Sequence, residues 1–225
     1  MIPARYARQL PILTEAGQRR LAEKRVLIVG CGGLGGHLAE HMVRLGVGHI
    51  RAVDPDVFEE SNLNRQLLST TPLLGASKAQ AAAARARAID PNVDFEAVPE
   101  AFTAENGDRL LGGCDLVLDG LDSVRDRLLL EAACARHDLP LVHGAVAGEL
   151  VEAAVSPPGS GLLKTLYEGA PEPAMKATLA YAPACCAAIQ SAQALRLLLG
   201  EEPPLWGKVL QLDLGDMTQT IFPLL

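Results

Sequence analysis

The sequence is poor in several features that mark particular protein classes. Aromatic residues make up only 4% of its 225 residues, and its five cysteines are Cys31, Cys114, Cys134, Cys185 and Cys186. No two cysteines have the C-x-x-C spacing, which excludes a structural zinc site of that type. Their odd number and mostly apolar surroundings favour reduced, packed thiols over a disulfide framework.

The sequence also lacks a basic excess, an apolar leader and a long apolar run. Its formal net charge of −7 argues against a nucleic-acid-binding surface. The first six residues contain no apolar signal core, and we expect no apolar run to reach the roughly 18 residues of a membrane span. We therefore expect a cytoplasmic protein with neither nucleic acid nor a membrane as partner.

What is present indicates an α/β fold in one large domain. Strand-like apolar runs alternate with helical segments from residue 25 to about 145, which predicts a Rossmann-like, mainly parallel sheet with helices on both faces. The strands are predicted at 25–30, 49–54, 93–98, 114–119 and 140–145, and a final antiparallel pair at 208–213 and 217–223. Helices are predicted near 35–45, 77–89, 104–111, 123–137 and 183–199.

Helix-breaking residues set off one long segment between the core and the last helix. Two clusters of proline and glycine, at 156–161 and 168–173, predict a mobile functional loop over 156–182. We therefore divide the chain into an N-terminal arm and helix, a nucleotide-binding core, this loop, and a C-terminal helix with strands. The divisions are 1–24, 25–155, 156–182 and 183–225.

A glycine-rich loop follows the first predicted strand. Gly30, Gly32 and Gly35 have the G-x-G-x-x-G spacing between a strand and a helix, where backbone amides approach a phosphate. Asp54 lies 19 residues beyond Gly35, where a carboxylate can accept hydrogen bonds from ribose hydroxyls. These features alone fit NAD, FAD, S-adenosylmethionine and ATP equally well.

Charged residues at the predicted strand ends narrow the choice. Arg65 and Lys78 are cations suited to a triphosphate, and Asp122 is a carboxylate suited to Mg²⁺. Taken singly, the cations could be solvated surface charges and Asp122 a helix N-cap. Together they indicate phosphoryl or nucleotidyl transfer.

The residues then match a family. The chain resembles the MoeB/ThiF/HesA adenylyltransferases, which are bacterial relatives of ubiquitin-activating enzymes. The resemblance runs nearly end to end through Arg5-Tyr6-Ala7-Arg8-Gln9, Gly30-Cys31-Gly32-Gly33-Leu34-Gly35, Asp54-x-Asp56, Ser61-Asn62-Leu63-Asn64-Arg65-Gln66, Gly75-x-x-Lys78 and Asp119-Gly120-Leu121-Asp122.

The resemblance implies a reaction and a set of roles. The C-terminal glycine of a ubiquitin-like sulfur carrier would attack the α-phosphate of ATP, and the resulting acyl-adenylate would await a sulfur nucleophile. Arg8, Arg65, Lys78 and Asp122 would be catalytic, with Asp122 holding Mg²⁺ and Arg8 reaching the neighbouring subunit of a homodimer. The nucleotide would contact Gly30, Gly32, Gly33, Gly35, Asp54, Asp56, Ser61, Asn62, Arg65, Gln66, Lys78, Asp122 and Ser123. The 156–182 segment would be the crossover loop beneath the carrier's tail.

The chain also departs from the family pattern. Gly161-Leu162-Leu163-Lys164 stands about where the first of two zinc-binding cysteine pairs would be, so we expect no zinc. Ser123 replaces the usual Asn after the aspartate, and Glu131 replaces an Asn further along, whereas Arg127 keeps its match. Ser123 and the missing zinc pair leave a catalytically silent homologue that binds a ubiquitin-like partner as one alternative. An NAD-dependent oxidoreductase is another, because it needs only the glycine loop and Asp54.

Two further patterns allow competing interpretations. His37, Glu40 and His41 form an H-x-x-E-H pattern, which can bind zinc, although packed histidines are the simpler expectation. Cys185 or Cys186 could capture the adenylate as a thioester, although both are expected to be small packing residues of an apolar helix.

Overall fold

The computed structural model describes residues 2–169 and 177–225. Its described helices are α1 Leu10–Ala22, α2 Gly35–Leu45, α3 Lys78–Ile89, α4 Gly107–Leu111, α5 Val124–Arg136, α6 Leu162–Leu166 and α7 Tyr181–Leu199. The strands are β1 Arg25–Val29, β2 His49–Val53, β3 Asp94–Val98, β4 Leu116–Asp119, β5 Leu141–Ala147, β6 Leu150–Ser156, β7 Lys208–Asp213 and β8 Gln219–Pro223.

The strands form one sheet in the order β3-β2-β1-β4-β5-β6-β7-β8. Strands β1 to β5 are parallel, and β6, β7 and β8 each pair antiparallel with their neighbours. The chain order reverses between β1 and β4, so the carboxyl ends of these two strands open into the crevice where ligands of such sheets bind. This confirms the predicted fold class.

The continuous apolar run of β1 reflects burial on both faces of the sheet. Val26 and Ile28 join a core with α2, α3 and α7, whereas Leu27 and Val29 join a second core with α4, α5 and α6. Because successive strand residues point to opposite faces, a strand covered on both sides needs no polar alternation.

Three sequence expectations need correction. β6 was not predicted, and it fills the place between the parallel strands and the final pair. The 156–182 segment includes the helical turn α6, while residues 170–176 of the predicted loop lie outside the described part. α7 begins at Tyr181, because Pro183 is tolerated in the first turn of a helix.

The α7 helix also corrects the expectation that no apolar run is long enough to span a membrane. Its 19 residues are long and apolar enough to pass for a membrane span by composition alone. Half of its most apolar window is buried inside the protein. It packs against α2, β5 and β6, as a core helix does.

Candidate active site

A cavity of about 410 Å³ lies at the carboxyl ends of the parallel strands. Nine of the predicted nucleotide-site residues line it: Gly30, Gly32, Gly33, Asp54, Asp56, Arg65, Gln66, Lys78 and Asp122. Gly35, Ser61, Asn62, Ser123 and Arg8 are not in its lining. The structure therefore brings together most of the predicted set.

The four glycines of the loop are needed for different physical reasons. Gly30 has φ +91°, and a Cβ there would lie 2.6 Å from the carbonyl oxygen of Gly120. A Cβ on Gly35 would lie 1.7 Å from the carbonyl oxygen of Gly30. At Gly32 and Gly33 a Cβ would meet no atom closer than 3.4 Å. The outer glycines thus permit close backbone packing, and the inner two keep cavity space open.

Asp54 holds the loop in place from the end of β2. Its carboxylate is 5% exposed and accepts hydrogen bonds from the amides of Cys31, at 2.6 Å, and Asp56, at 2.8 Å. Burial raises the pKa of Asp54, and the two amide hydrogen bonds oppose that rise. Each carboxylate oxygen keeps acceptor capacity, so the same group can also receive a ribose hydroxyl.

The two predicted cations are held by short-range contacts. Lys78 begins α3 after the N-cap Ser77, and its Nζ lies 2.9 Å from Oδ2 of Asp56. Arg65 donates through Nη1 to the carbonyl of Ser61 and to Oδ1 of Asn64, both at 2.9 Å. Both side chains reach the cavity beside the glycine loop.

Asn62 has a supporting position beneath this region. It is 7% exposed, and its Oδ1 accepts the amide of Glu59 at 3.0 Å, which closes the helical turn Glu60–Asn62. Ser61 lies in the same turn, and its Oγ is 3.4 Å from the Asn62 amide nitrogen. This turn leads into Arg65 and Gln66, while direct phosphate contacts by Ser61 and Asn62 stay predictions.

The start of α5 combines one predicted residue with two that sequence reasoning left out of the site. Asp122 is exposed, Asp126 is half-buried and Arg127 is buried, and all three line the cavity. Ser123 is the N-cap of α5, since its Oγ accepts the amide of Asp126 at 3.2 Å, and its contact with nucleotide stays a prediction. Asp126 was a usable signal because it lies in the first turn of α5, at the same helix end that Asp122 precedes.

A buried polar cluster lies behind Arg127. Asp119 and His143 are fully buried, and Oδ2 of Asp119 lies 2.6 Å from Nδ1 of His143. Nε2 of His143 lies 2.9 Å from the hydroxyl of Tyr167, which donates to Oε1 of Glu152 at 2.8 Å. Burial lowers the pKa of His143, but its hydrogen bond with Asp119 and its ion pair with Glu152 outweigh that effect and raise the pKa. Local sequence could not reveal this cluster, because its members come from four separate elements.

Comparison with known proteins identifies the family. The ThiF family model matches residues 6–224. The chain belongs to the ThiF family. It is 36% identical over 228 residues to the SAMP-activating enzyme E1 of Haloferax volcanii, covering 97% of this chain and 84% of the relative. It is 37% identical over 223 residues to the sulfur carrier protein adenylyltransferase of Thermus thermophilus, covering 93% of this chain and 82% of the relative.

Solved structures show the same fold. PaaA superposes with a TM-score of 0.84 at 23% identity, covering 97% of this chain and 72% of that one. Escherichia coli MccB, solved with ATP, gives a TM-score of 0.83 at 18% identity, covering 99% of this chain and 72% of that one. The curated relatives are adenylyltransferases and activating enzymes, which argues against the oxidoreductase alternative.

In this ThiF-family chain the H-x-x-E-H pattern does not form a metal site. The carboxylate of Glu40 binds Arg44 and Arg85, while Nδ1 of His41 lies 2.9 Å from the hydroxyl of Ser191. Burial lowers the pKa of both His37 and His41. Residues 2–169 and 177–225 contain no group of three or more His, Cys, Asp or Glu side chains arranged to hold a metal.

The paired cysteines differ in exposure. Cys186 is fully buried, its Sγ contacts the carbonyl of Glu152 at 3.3 Å, and burial raises the pKa of its thiol. Cys185 is partly buried in the first turns of α7. Because a nucleophilic thiolate needs access to its substrate, the full burial of Cys186 favours a packing role.

Proposed function

We propose that the chain is an ATP-dependent adenylyltransferase that activates the C-terminal glycine of a small ubiquitin-like sulfur carrier, of the ThiS or MoaD type. The supporting observation is the convergence of the glycine loop, Arg65, Lys78 and Asp122 on one cavity where the strand order reverses. The names of the Haloferax and Thermus relatives support the same activity.

In this reaction a carboxylate oxygen of the carrier attacks the α-phosphorus of ATP. The bond from that phosphorus to the bridging oxygen breaks, and pyrophosphate leaves with the electron pair. The product is an acyl-adenylate, a mixed anhydride open to a sulfur nucleophile. The protein's part is alignment and positive charge, which Arg65 and Lys78 supply beside the open backbone of Gly32 and Gly33.

The donor set fits Mg²⁺ bound together with nucleotide. Mg²⁺ usually takes one or two carboxylates, substrate phosphates and several waters rather than an all-protein cage. Asp122, with Asp126 beside it in the cavity lining, provides such a set. Bound Mg²⁺ would neutralise phosphate charge there.

Arg8 is proposed to act in the second subunit of a homodimer. It is exposed and does not line the cavity of its own chain. The arm around it is fixed to its own chain, because the Tyr6 hydroxyl donates to Asp90 at 3.0 Å and Gln9 donates to the carbonyl of Arg44 at 2.7 Å. A cytoplasmic location, with neither nucleic acid nor a membrane as partner, belongs to the same proposal.

ATP–pyrophosphate exchange in the presence of a carrier ending in Gly-Gly tests the function. We expect exchange in the wild-type protein, and none in Asp122→Ala or Arg8→Ala. Asp216→Ala, which changes an exposed carboxylate of the β7–β8 loop, should keep wild-type exchange.

Mixing the two inactive variants tests the trans arrangement. A mixed dimer holds one complete site, built from Asp122 of the Arg8→Ala subunit and Arg8 of the Asp122→Ala subunit. Exchange should therefore return on mixing and subunit exchange. Carrier binding without exchange in the wild-type protein would instead identify a silent homologue, and absence of both would refute the proposal.

A further inference from the structure

The helical turn α6 is fixed at both of its ends by buried side chains. At its start, Oε1 of Glu131 accepts the amide of Leu163 at 2.7 Å and Oε2 accepts the amide of Lys164 at 3.0 Å. At its end stands Tyr167, whose hydroxyl contacts His143 and Glu152. An element this short has little stability of its own, so these contacts determine where it lies.

The hydrogen bonds around His143 determine how many of its ring nitrogens carry a proton, and so its charge. Both carboxylate oxygens of Glu152 accept hydrogen bonds, Oε1 from the single hydroxyl proton of Tyr167 at 2.8 Å and Oε2 from Nε2 of Gln211 at 3.0 Å. The Tyr167 oxygen is then left to accept a proton from Nε2 of His143. Asp119 likewise accepts from Nδ1. Both ring nitrogens donate, which makes His143 an imidazolium between two carboxylates.

Arg127 completes the charge balance from α5. It is 7% exposed, its Nε lies 3.6 Å from Oδ2 of Asp119, and its guanidinium carbon lies 5.8 Å from the centre of the Tyr167 ring. Two cations, Arg127 and His143, thus offset two carboxylates, Asp119 and Glu152. A balanced buried set of this kind avoids the large cost of an unpaired buried charge.

Two side chains of this cluster form hydrogen bonds with the backbone of Leu121. Oδ1 of Asp119 accepts the amide of Leu121 at 2.8 Å, and Nη2 of Arg127 donates to the carbonyl of Leu121, also at 2.8 Å. Leu121 directly precedes Asp122, the carboxylate placed at the phosphate end of the cavity. The amide and the carbonyl of Leu121 are therefore held by Asp119 and Arg127. Arg127 contacts Tyr167 directly, and Asp119 contacts it through His143.

We propose that Tyr167 and His143 are positioning residues of the adenylation reaction, which orient Asp122 through Asp119, Arg127 and Leu121. This inference rests on the proposed function. Tyr167 directly follows α6, so the position of α6 and the alignment of Asp122 depend on the same contacts. Neither residue touches the reacting atoms.

The first test is Tyr167→Phe, which keeps the ring beside Arg127 and removes only the hydroxyl. We expect kcat for ATP–pyrophosphate exchange to fall about tenfold, as loss of a hydrogen bond to charged groups allows, with KM for ATP changed less than about twofold. Tyr181→Phe is the matched control, because its hydroxyl contacts Glu149 at the surface. Equal kcat in Tyr167→Phe and wild type, or an equal loss in both variants, would overturn the proposal.

The pH profile separates positioning from general loss of structure. The charged groups facing His143 are Asp119 of β4, Arg127 of α5 and Glu152 of β6, and the neutral Tyr167 hydroxyl after α6 faces it as well. Gln190 of α7 donates to the Asp119 carbonyl and Gln211 of β7 to Glu152. Exchange by the wild-type protein should fall at high pH as His143 loses its proton. In Tyr167→Phe that fall should move to lower pH, because the imidazolium has lost an acceptor.

A measurement on the wild-type protein covers the case in which the variant does not fold. Nitrogen-15 chemical shifts of His143 should show both ring nitrogens protonated at pH 7, whereas a neutral ring would refute the charge assignment. Absence of exchange in the wild-type protein would refute the proposed function instead. The ring titration would still decide whether His143 is an imidazolium.

Discussion

Gly33→Ala is predicted to weaken nucleotide binding without weakening the fold. Gly33 does not have a positive φ, and a Cβ there would meet only Pro183, at 3.6 Å, and Arg65, at 4.0 Å. Both contacts are ordinary van der Waals distances, so the folded chain accepts the methyl group. Replacing glycine also restricts the unfolded chain, which stabilises by about 0.4–1 kcal/mol. For a chain of this size that corresponds to a rise in Tm of roughly 1–4 °C.

The free-energy cost of Gly33→Ala should appear when ATP binds in the cavity. Gly33, Pro183 and Arg65 all line it, so the added methyl group takes space beside the ligand. Overpacking of a fitted site costs about 1–3 kcal/mol, which raises the Kd for ATP roughly 5- to 150-fold. Isothermal titration with a non-hydrolysable ATP analogue and thermal unfolding of the same samples give the two quantities.

Gly35→Ala is the matched variant, and we expect it to destabilise the fold. Its Cβ would lie 1.7 Å from the backbone oxygen of Gly30, where no flexible side chain can move aside. A forced shift of the loop against α2 should cost more than about 4 kcal/mol, a large part of the usual stability of a domain. If Gly33→Ala bound ATP as tightly as wild type, or if both variants lost the same stability, the assignment of open and packed glycines would be wrong.

Two further predictions concern charged groups of the site and the cluster. Lys78→Ala should lower kcat for exchange about 10²- to 10³-fold while the protein stays folded, and Lys208→Ala, an exposed lysine at the start of β7, should have no effect. Glu152 has its pKa lowered from 4.5 to about 2, so its contribution to stability is present above pH 4.5 and is lost as pH falls toward 2. Urea unfolding between pH 6 and 2 should show this loss in wild type, and a flatter pH dependence in Glu152→Gln.

The sequence predicted the parallel part of the sheet well because both faces of its strands are covered. Runs such as Val26–Val29 are apolar throughout, and β1 and β2 ended within one residue of their predicted bounds. The β6 strand was missed because its run from Leu150 to Ser156 contains two alanines and Glu152, which favour strands weakly. Its conformation depends on pairing with β5 and β7.

The candidate site shows the same division between local and tertiary information. Gly30, Asp54 and Lys78 could be predicted because each stands at the end of a strand or the start of a helix, where position along the chain fixes position in space. The partners of His143 could not, since Asp119 and Tyr167 each lie 24 residues away along the chain and approach only in the folded protein. Ser123 caps α5, a role that a serine before a helix takes as readily as that of a ligand, so its contact with nucleotide stays a prediction.

The Lys78–Asp56 ion pair explains how a buried cation can be stable in this cavity when no phosphate is bound. The side chain of Lys78 is only 8% exposed, and a buried ammonium without a counter-charge is costly. Asp56 supplies that charge, yet its own side chain is 64% exposed. A phosphate oxygen can therefore replace Asp56 at Lys78 while the released carboxylate returns to water. Were Asp56 as deeply buried as Lys78, the exchange would leave an unpaired buried carboxylate, and phosphate binding would bear that cost.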